Sequence, residues 1–485
     1  MRYLRRYLRN VLAFAVAALV GSSGFSGLAR AQTSAYNTNF TTAITYQNVG
    51  TASADINFAF YGSSGSPITF TRTLPANAGA SLNVGSATEL STFSGVGSAV
   101  ISSNQPIVAT IVQLPPSSSP VRNRPLANGF GSSDASNNVL IATVLKNAFN
   151  QTTKFSIQNA DTGNVTVELK LFAAGSPTPT YSDTFTLNPG AAKFYDTGTI
   201  VALGPSFNGS ATIQASGKIV ATAIEATTDG SYKVSAFEGV SQGANTIYIP
   251  SALCQFGPNQ QRTAYAVQNV SSTNSVSVTV TYKDLSNNTV ATQTGTIPPN
   301  NKQSFQTCSV PGLSNFNGSA IISSTGAVVA IAKVSAAVGA PSFGTSFVGA
   351  SSGASKLAAP YVRWTDSQFI PNGRQRANIA IQNVGSGNSG TITVKYYDIN
   401  GTLIGTHTLA SIAPGVKANS NPVSAILAPG KTPSDLQEFG YIGGFGGSAI
   451  IECNAPGCQI VAVVRVSSAT SNGPTAEDYN AIPIN

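Results

Sequence analysis

A block of about 110 residues recurs four times along the chain, and this repeat constrains the architecture more than any other sequence feature. Each copy has a Gln-Asn pair at the end of an alternating pattern, with the asparagines at Asn48, Asn159, Asn269 and Asn383. Successive pairs lie 111, 110 and 114 residues apart. A Gly-Ser-Ala element follows each Gln after 50 to 65 residues, with its glycine at Gly97, Gly209, Gly318 and Gly447. The chain is therefore predicted to contain four copies of one structural unit.

Each copy carries short stretches of period-two hydrophobicity, such as ADINFAFY and VTVELKLF, between turns rich in Gly, Asn and Pro. Such strands with frequent turn signals indicate an antiparallel β-sandwich, and no sustained helical periodicity competes with them. We therefore predict an all-β protein of four tandem antiparallel β-sandwich modules, each large enough to bury its own core. The predicted boundaries are residues 32–135, 136–243, 244–352 and 353–485. The connections are short, which predicts a semi-rigid rod.

The Gly-Ser-Ala element is predicted to begin a strand that forms a hairpin with the following IVA-type strand. In FNGSATI the alanine and the residue two further on share one face, which is expected to be the core face. Glycine at this position predicts a bulge or a close approach of two backbones. The serine predicts a hydrogen bond in a turn or at a sheet edge. The motif is thus interpreted as a folding element and not as a phosphate loop, a nucleophile turn or a glycosylation site.

The first 31 residues have the pattern of a secretory signal peptide. A basic segment precedes a short apolar run at residues 11–20, and a small-x-small sequence ends at Ala31, so cleavage is predicted between Ala31 and Gln32. Five of the 26 basic residues lie in this segment, which leaves 21 basic against 18 acidic residues, a formal net charge of +3. No basic stripe typical of nucleic-acid binding is visible, and no later apolar run is long enough to predict a transmembrane segment.

Secretion makes disulfide bonds chemically plausible for the four cysteines, Cys254, Cys308, Cys453 and Cys458. Four cysteines allow three pairings, and pairing within repeats 3 and 4 is the simplest. Cys453 and Cys458 flank NAPG in the longest of the four predicted hairpin loops, which favours a bond between them. Sequence does not show whether Cys254 and Cys308 are adjacent.

Residues able to catalyse a reaction are scarce. The one histidine, His407, lies in an alternating strand pattern, and no acidic pair or metal-ligand spacing stands out, so we expect no enzyme activity, no metal and no cofactor. Arg374 and Arg376 are interpreted as a solvated loop. An alternative function is carbohydrate binding, with tyrosines such as Tyr396 and Tyr397 as stacking platforms.

The repeated pattern IQN, APG or NPG, FNGSA and IVA resembles the tandem Ig-like β-sandwich modules of secreted bacterial surface proteins. This resemblance implies a structural or adhesive role outside the cell, in a surface layer, sheath or appendage. The expected partners are further copies of the chain or cell-surface polymers. The resemblance supplies no catalytic or ligand motif, and no surface-anchoring sequence is recognisable.

Overall fold

A computed structural model describes residues 11–14, 34–62, 66–336, 343–369, 373–438, 447–470 and 473–484. The described chain is all-β, with several sheets and one short α-helix, α1 (Pro433–Gln437). Single 3₁₀ turns occur at Ala35–Asn37, Thr88–Leu90, Thr197–Thr199, Val201–Leu203, Thr307–Ser309 and Pro422–Ser424. The predicted signal peptide and its cleavage point, Ala31 and Gln32, lie outside the described residues, except for the backbone of Val11–Phe14.

The strands of the first two repeats are as follows. The strand β1 (Val11–Phe14) precedes the predicted boundary of repeat 1. Repeat 1 contains β2 (Thr41–Asn48), β3 (Ala54–Tyr61), β4 (Ile68–Leu74), β5 (Gly79–Asn83), β6 (Ser98–Ser103), β7 (Ile107–Leu114) and β8 (Leu126–Asn128). Repeat 2 contains β9 (Ser136–Lys146), β10 (Gln151–Asn159), β11 (Val165–Ala173), β12 (Pro179–Leu187), β13 (Ala192–Asp196), β14 (Phe207–Thr227) and β15 (Val234–Glu238).

The strands of the last two repeats follow the same sequence order. Repeat 3 contains β16 (Ala244–Cys254), β17 (Arg262–Asn269), β18 (Val276–Lys283), β19 (Thr289–Ile297), β20 (Lys302–Gln306), β21 (Phe316–Ser335) and β22 (Gly344–Val348). Repeat 4 contains β23 (Lys356–Val362), β24 (Trp364–Phe369), β25 (Gly373–Asn383), β26 (Ile392–Tyr397), β27 (Leu403–Leu409), β28 (Lys417–Ser420), β29 (Ile426–Leu427), β30 (Gly447–Cys453), β31 (Ile460–Thr470), β32 (Gly473–Asn480) and β33 (Ile482–Pro483).

The strands pair antiparallel in the same order in every repeat. In repeat 2, the first sheet has the order β9-β14-β11-β12 and the second sheet the order β13-β10-β14-β15. The corresponding first sheets are β1-β6-β3-β4, β16-β21-β18-β19 and β23-β30-β26-β27. The corresponding second sheets are β5-β2-β7-β8, β20-β17-β21-β22 and β28-β25-β31-β32. Apolar residues of both sheets share one core, as Leu169 and Ile213 do with Ile157 and Ala223 in repeat 2. The residue boundaries of the repeats, which were set from the sequence, stay predictions.

The hairpin predicted for the Gly-Ser-Ala strand is wrong. In repeats 2 and 3 this strand and the IVA strand form one continuous strand, β14 of 21 residues and β21 of 20 residues. The first half of β14 pairs with β9 and β11, and the second half pairs with β10 and β15. The chain therefore crosses from the first sheet to the second without reversing direction. The alternating hydrophobic pattern does not distinguish a hairpin from a strand that passes from one sheet to the other, because side chains alternate with a period of two residues in both.

The last strands of the four repeats lie beside one another around a common centre. Ser346 Oγ of repeat 3 donates to the carbonyl of Ala236 in repeat 2 at 2.9 Å. Asn480 Nδ2 of repeat 4 donates to the carbonyl of Val348 in repeat 3 at 2.8 Å. Asn128 Nδ2 of repeat 1 donates to the carbonyl of Asn480 at 2.7 Å. Repeat 4 is therefore linked both to repeat 3 and to repeat 1.

The predicted rod is wrong, because repeat 4 packs against repeat 1. The Gly79 amide donates to the Ile399 carbonyl at 3.2 Å, and buried Val108 packs with Ala358 and Ile450. Head-to-tail contacts of one kind close into a ring when their rotation returns the last unit to the first. Strand patterns in the sequence carry no information about that rotation.

Candidate interaction sites

The asparagine of each Gln-Asn pair fastens two turns within its own repeat. Asn159 is fully buried, and its Nδ2 donates to the carbonyls of Gly163 at 2.8 Å and Leu187 at 3.0 Å. Its Oδ1 accepts from the Asp161 amide at 2.7 Å. The equivalent bonds are made by Asn48, Asn269 and Asn383. The side-chain amide uses both its donor group and its acceptor oxygen in these bonds, so the asparagine has a structural role.

The glutamine of the pair reaches the preceding repeat in repeats 2, 3 and 4, whereas Gln47 Nε2 in repeat 1 donates to the Asn77 carbonyl of its own repeat at 3.5 Å. Gln158 Nε2 lies 3.3 Å from the carbonyl of Ala99, which is the alanine of the Gly-Ser-Ala element in repeat 1. Gln268 reaches the carbonyl of Ala211 at 3.2 Å, and Gln382 that of Ala320 at 3.5 Å. The two sequence motifs therefore meet across each joint between consecutive repeats.

The serine of the Gly-Ser-Ala element bonds in the opposite direction, to the proline corner of the next repeat. Ser98 Oγ donates to the Gly190 carbonyl at 2.6 Å, and Ser319 Oγ donates to the Gly415 carbonyl at 2.6 Å. Gly190 and Gly415 have φ angles of 74° and 79°, in the left-handed region that favours glycine. At the joint between repeats 4 and 1, Ser448 Oγ has no hydrogen-bond partner among the described residues. That joint instead has hydrogen bonds from the Gly79 amide to the Ile399 carbonyl and from Asn128 Nδ2 to the Asn480 carbonyl, together with the apolar contacts of Val108.

The glycine of the element is required by a close approach of two backbones. A Cβ added at Gly209 would lie 2.1 Å from the Phe172 carbonyl oxygen, and the distances at Gly97 and Gly318 are 2.3 Å and 2.1 Å. Real Cβ atoms essentially never come this close to another heavy atom. Gly447 lies in β30 opposite Val362. These positions therefore require glycine, because the neighbouring carbonyl leaves no room for a Cβ atom.

Charged side chains are buried where repeats 2 and 3 meet. Lys333 Nζ lies 2.6 Å from Glu225 Oε1 and also donates to Thr143 Oγ1 at 3.0 Å. Lys302 is buried beside them, and desolvation, helped by the Lys333 charge, lowers its pKa to about 7. These contacts fix the relative position of the two repeats.

A second buried lysine lies between repeats 3 and 4. Lys417 lies opposite Gln382 across strands β28 and β25. Lys302 lies opposite Gln268 in the same way across β20 and β17 of repeat 3. Desolvation, helped by the charge of Arg465, lowers the pKa of Lys417 to about 7. A cavity of about 290 Å³ lies beside Lys417 and Arg465. Sequence reasoning missed both lysines, although they follow the proline corner at the same place in both repeats.

All four repeats contribute to a cavity of about 260 Å³ at the centre of the ring. Asn128, Glu238, Val348 and Asn480 line it from equivalent positions of the four last strands. Burial raises the pKa of Glu238 to about 7. Among the described residues, no group of three or more His, Cys, Asp or Glu side chains could hold a metal ion. The cavity thus offers hydrogen bonds and partial negative charge.

A serine-histidine contact occurs in repeat 4 but is closed to substrate. His407 Nδ1 lies 2.8 Å from Ser420 Oγ, which also lies 2.8 Å from Tyr396 Oη. Ser420 and Tyr396 are both fully buried. Burial lowers the pKa of His407. The predicted stacking role of Tyr396 is therefore wrong, and Tyr397 packs with Val49 at the joint to repeat 1.

Two disulfide bonds account for the four cysteines. Cys254 in β16 is bonded to Cys308, with their Cα atoms 5.1 Å apart, and Cys453 is bonded to Cys458. The second bond closes the link between β30 and β31, which lie in different sheets.

Arg376 forms an ion pair with Asp366 and lies over the Trp364 ring, 4.3 Å from its centroid. No helix among the described residues has the length and apolar composition needed to cross a membrane.

No protein-family model matches the sequence, and no curated protein matches it. Among solved structures, the chain is similar to Thermotoga maritima 1070, with 11% identity over 22% of this chain and 94% of that chain and a TM-score of 0.20. It is also similar to a tetra-tandem repeat in the extending region of a large adhesion protein, with 10% identity over 94% of this chain and 98% of that chain and a TM-score of 0.11. TM-scores this low carry no argument about fold or function.

Proposed function

We propose that the chain is a secreted, non-enzymatic structural or adhesive protein of the bacterial cell surface or extracellular matrix, built from four β-sandwich modules behind a cleaved signal peptide. One observation carries this proposal: the glutamine of the Gln-Asn pair and the serine of the Gly-Ser-Ala element, which recur along the chain, bond across joints between consecutive repeats. Gln158 and Ser98 bond across one joint, and Gln382 and Ser319 across another. Recurrence therefore has a structural explanation that needs no shared catalytic site.

Two further observations agree with this function. Both disulfide bonds suit an oxidising compartment outside the cytosol. The contact between Ser420 and His407 is inaccessible to a substrate, because Ser420 is fully buried. No observation favours carbohydrate binding, since Tyr396 is buried in the core of repeat 4.

Localisation in the native organism tests secretion. A chain tagged after its last residue is followed by immunogold microscopy beside a matched chain that lacks residues 2–31. We expect label at the cell surface or in the extracellular matrix for the first chain and in the cytoplasm for the second. Cytoplasmic label for the full chain would contradict the proposal.

Binding of the purified protein tests the adhesive or structural role. The secreted chain is labelled and mixed with cells that lack the gene, with isolated surface polymer, or with unlabelled protein at rising concentration. We expect saturable binding or assembly, and we expect reduced, unfolded chain to show neither. A protein that stays monomeric and binds neither cells nor polymer has another function.

A further inference from the structure

Between the predicted cleavage point and β2, the described residues of repeat 1, 34–40, form no first strand. In repeats 2, 3 and 4, a first strand pairs with the Gly-Ser-Ala strand, as β9 does with β14, β16 with β21 and β23 with β30. In repeat 1, the earliest strand after residue 31 is β2, which lies in the second sheet. The first sheet of the mature repeat would therefore end at β6.

The segment Val11–Phe14 occupies this vacant position in the register of the other repeats. Leu12 lies opposite Ile101, as Val139 lies opposite Ile213 in repeat 2. Phe14 lies opposite Ala99. In the same way, Ile141 lies opposite Ala211 in repeat 2, and Ile249 lies opposite Ala320 in repeat 3. Direction and register are thus those of a true first strand, although the segment belongs to the predicted signal peptide.

The equivalent strand positions cover the sandwich core. Val139 and Ile141 are 2% and 0% exposed, and Ile247 and Ile249 are 1% and 0% exposed. Removal of residues 1–31 would uncover the same side of the core of repeat 1, beside Ala99 and Ile101. It would also leave the outer N–H and C=O groups of β6 without partners. An edge of this kind is a template for pairing with another strand.

Among the described residues after residue 31, no strand is spare and able to fill the gap. Tyr36, just before β2, is fixed to repeat 2, because its hydroxyl donates to Asp196 at 2.7 Å and its ring lies under Lys154. At the other end of the chain, β33 is already paired with β23. Every other strand that the structure describes is also part of a sheet. None of these described strands can fill the gap without leaving its own sheet, which favours a strand from a different polypeptide.

We infer that secretion turns β6 into an acceptor site for an extended segment of another polypeptide, which runs antiparallel to Ser98–Ser103 and carries apolar residues at alternate positions. This inference rests on the proposed removal of residues 1–31 and names the partner chemistry of the proposed surface protein. Main-chain hydrogen bonds supply affinity, and the apolar residues that cover Ala99 and Ile101 supply specificity. The uncleaved chain fills the site itself and is closed to the partner.

A peptide of residues 9–16, with lysines added at both ends for solubility, is the probe. It is titrated into the protein purified after secretion, by fluorescence anisotropy and thermal unfolding. We expect saturable binding and a melting temperature that rises with peptide concentration. A peptide with Leu12→Asp and Phe14→Asp should not bind. An uncleaved chain with Ala29→Leu and Ala31→Leu should bind neither peptide.

Disulfide trapping tests the register. Because Ala13 lies opposite Val100, a peptide with Ala13→Cys should be trapped by a chain with Val100→Cys. It should not be trapped by a chain with Thr71→Cys, which places the cysteine on β4 of the same sheet. Equal trapping at both positions, or no binding at all, would overturn the inference. A mature chain that dimerises through Val100→Cys and then excludes the peptide would also overturn it, because the partner would be a second copy.

The N-terminus of the secreted protein separates this inference from the proposed function. Sequencing that starts at Gln32 establishes that the edge is opened, and a peptide that then fails to bind refutes the acceptor site alone. A surface-located protein that retains residues 11–14 refutes the acceptor site as well, since β6 stays paired. In both cases the structural or adhesive function stands.

Discussion

At the scale of single residues, Gly209 and Gln158 are each placed by a contact with a backbone carbonyl that is distant in the sequence. The sequence predicts a bulge or a close backbone approach at Gly209, and the structure has a register shift between Gly209 and Ala211 and the Phe172 carbonyl beside Gly209. Gln158 bonds to Ala99, which precedes it by 59 residues and belongs to another repeat. One sequence identifies which positions recur. It does not identify the contacts between recurring residues of different repeats, because those contacts depend on the relative orientation of the repeats.

Gly209→Val should destabilise repeat 2, because the new side chain would overlap the Phe172 carbonyl and the Phe207 ring. Overpacking of this kind costs about 2–3 kcal/mol. The matched control is Gly163→Val, since an added Cβ at Gly163 meets no atom within 4 Å. Urea unfolding followed by circular dichroism measures both variants. Equal stability of the two variants would contradict the close approach at Gly209.

Lys417→Met should stabilise the protein at neutral pH. The pKa of Lys417 is about 7 in the folded chain, below its ordinary value of 10.5. Below pH 7 the lysine is charged in both states, so the whole cost of burying the charge opposes folding. As the pH rises from 7 to 10.5, the unfolded chain holds the proton longer than the folded chain, and the wild type gains stability.

The stability advantage of Lys417→Met should therefore be largest at or below pH 7 and shrink toward pH 10. Thermal unfolding at pH 6, 8 and 10 measures it, with an expected advantage of a few kcal/mol at pH 6. Lys431→Met, at a partly exposed position, is the matched control and should have little effect at any pH. An advantage for Lys417→Met that grows with pH would contradict the assignment.

At the scale of secondary structure, alternating hydrophobicity located most strands, because each strand buries one face. Its main error was the hairpin in repeats 2 and 3. Ala211 pairs with β11 and β9, whereas Ala221 in the same strand pairs with β10. Which sheet a residue joins is set by tertiary packing, and the local pattern is the same in both halves of β14.

The two disulfide bonds should contribute unequally to stability. Cys254–Cys308 spans 54 residues and Cys453–Cys458 spans 5. The chain-entropy model gives about 4 kcal/mol for the longer loop and about 2 kcal/mol for the shorter. Urea unfolding of Cys254→Ala/Cys308→Ala and of Cys453→Ala/Cys458→Ala measures the difference. A larger loss from the second pair would show that strain or packing, and not loop closure, sets the order.

At the scale of the whole molecule, the sequence predicted repetition but not closure. Short connections suggested a rod, yet the contacts of Val108 with Ala358 and Ile450 join the ends of the array. The rotation at each joint decides between a rod and a ring, and bonds such as Ser98 to Gly190 hold consecutive repeats in their observed orientation. Such geometry becomes visible only in three dimensions.

Ile450→Asp should open the ring between repeats 4 and 1, because it places a carboxylate among buried apolar side chains. The core of repeat 4 lies on the other face of β30, so the strands should persist. We expect the radius of gyration to rise while the circular dichroism of the folded sheets remains. Ile426→Asp is the control, since Ile426 is 78% exposed. Global unfolding of Ile450→Asp would instead place this residue in the core of repeat 4.

Small-angle X-ray scattering of the secreted chain tests the central claim most directly, that the four repeats close into a ring in which repeat 4 meets repeat 1. For residues 32–485, a compact arrangement has a radius of gyration of about 23 Å, and four units in a line would have about 40 Å. We predict a value near the first figure, with a distance distribution that falls to zero without a long tail. A value near the second figure would show that repeats 1 and 4 do not meet, and would contradict the account.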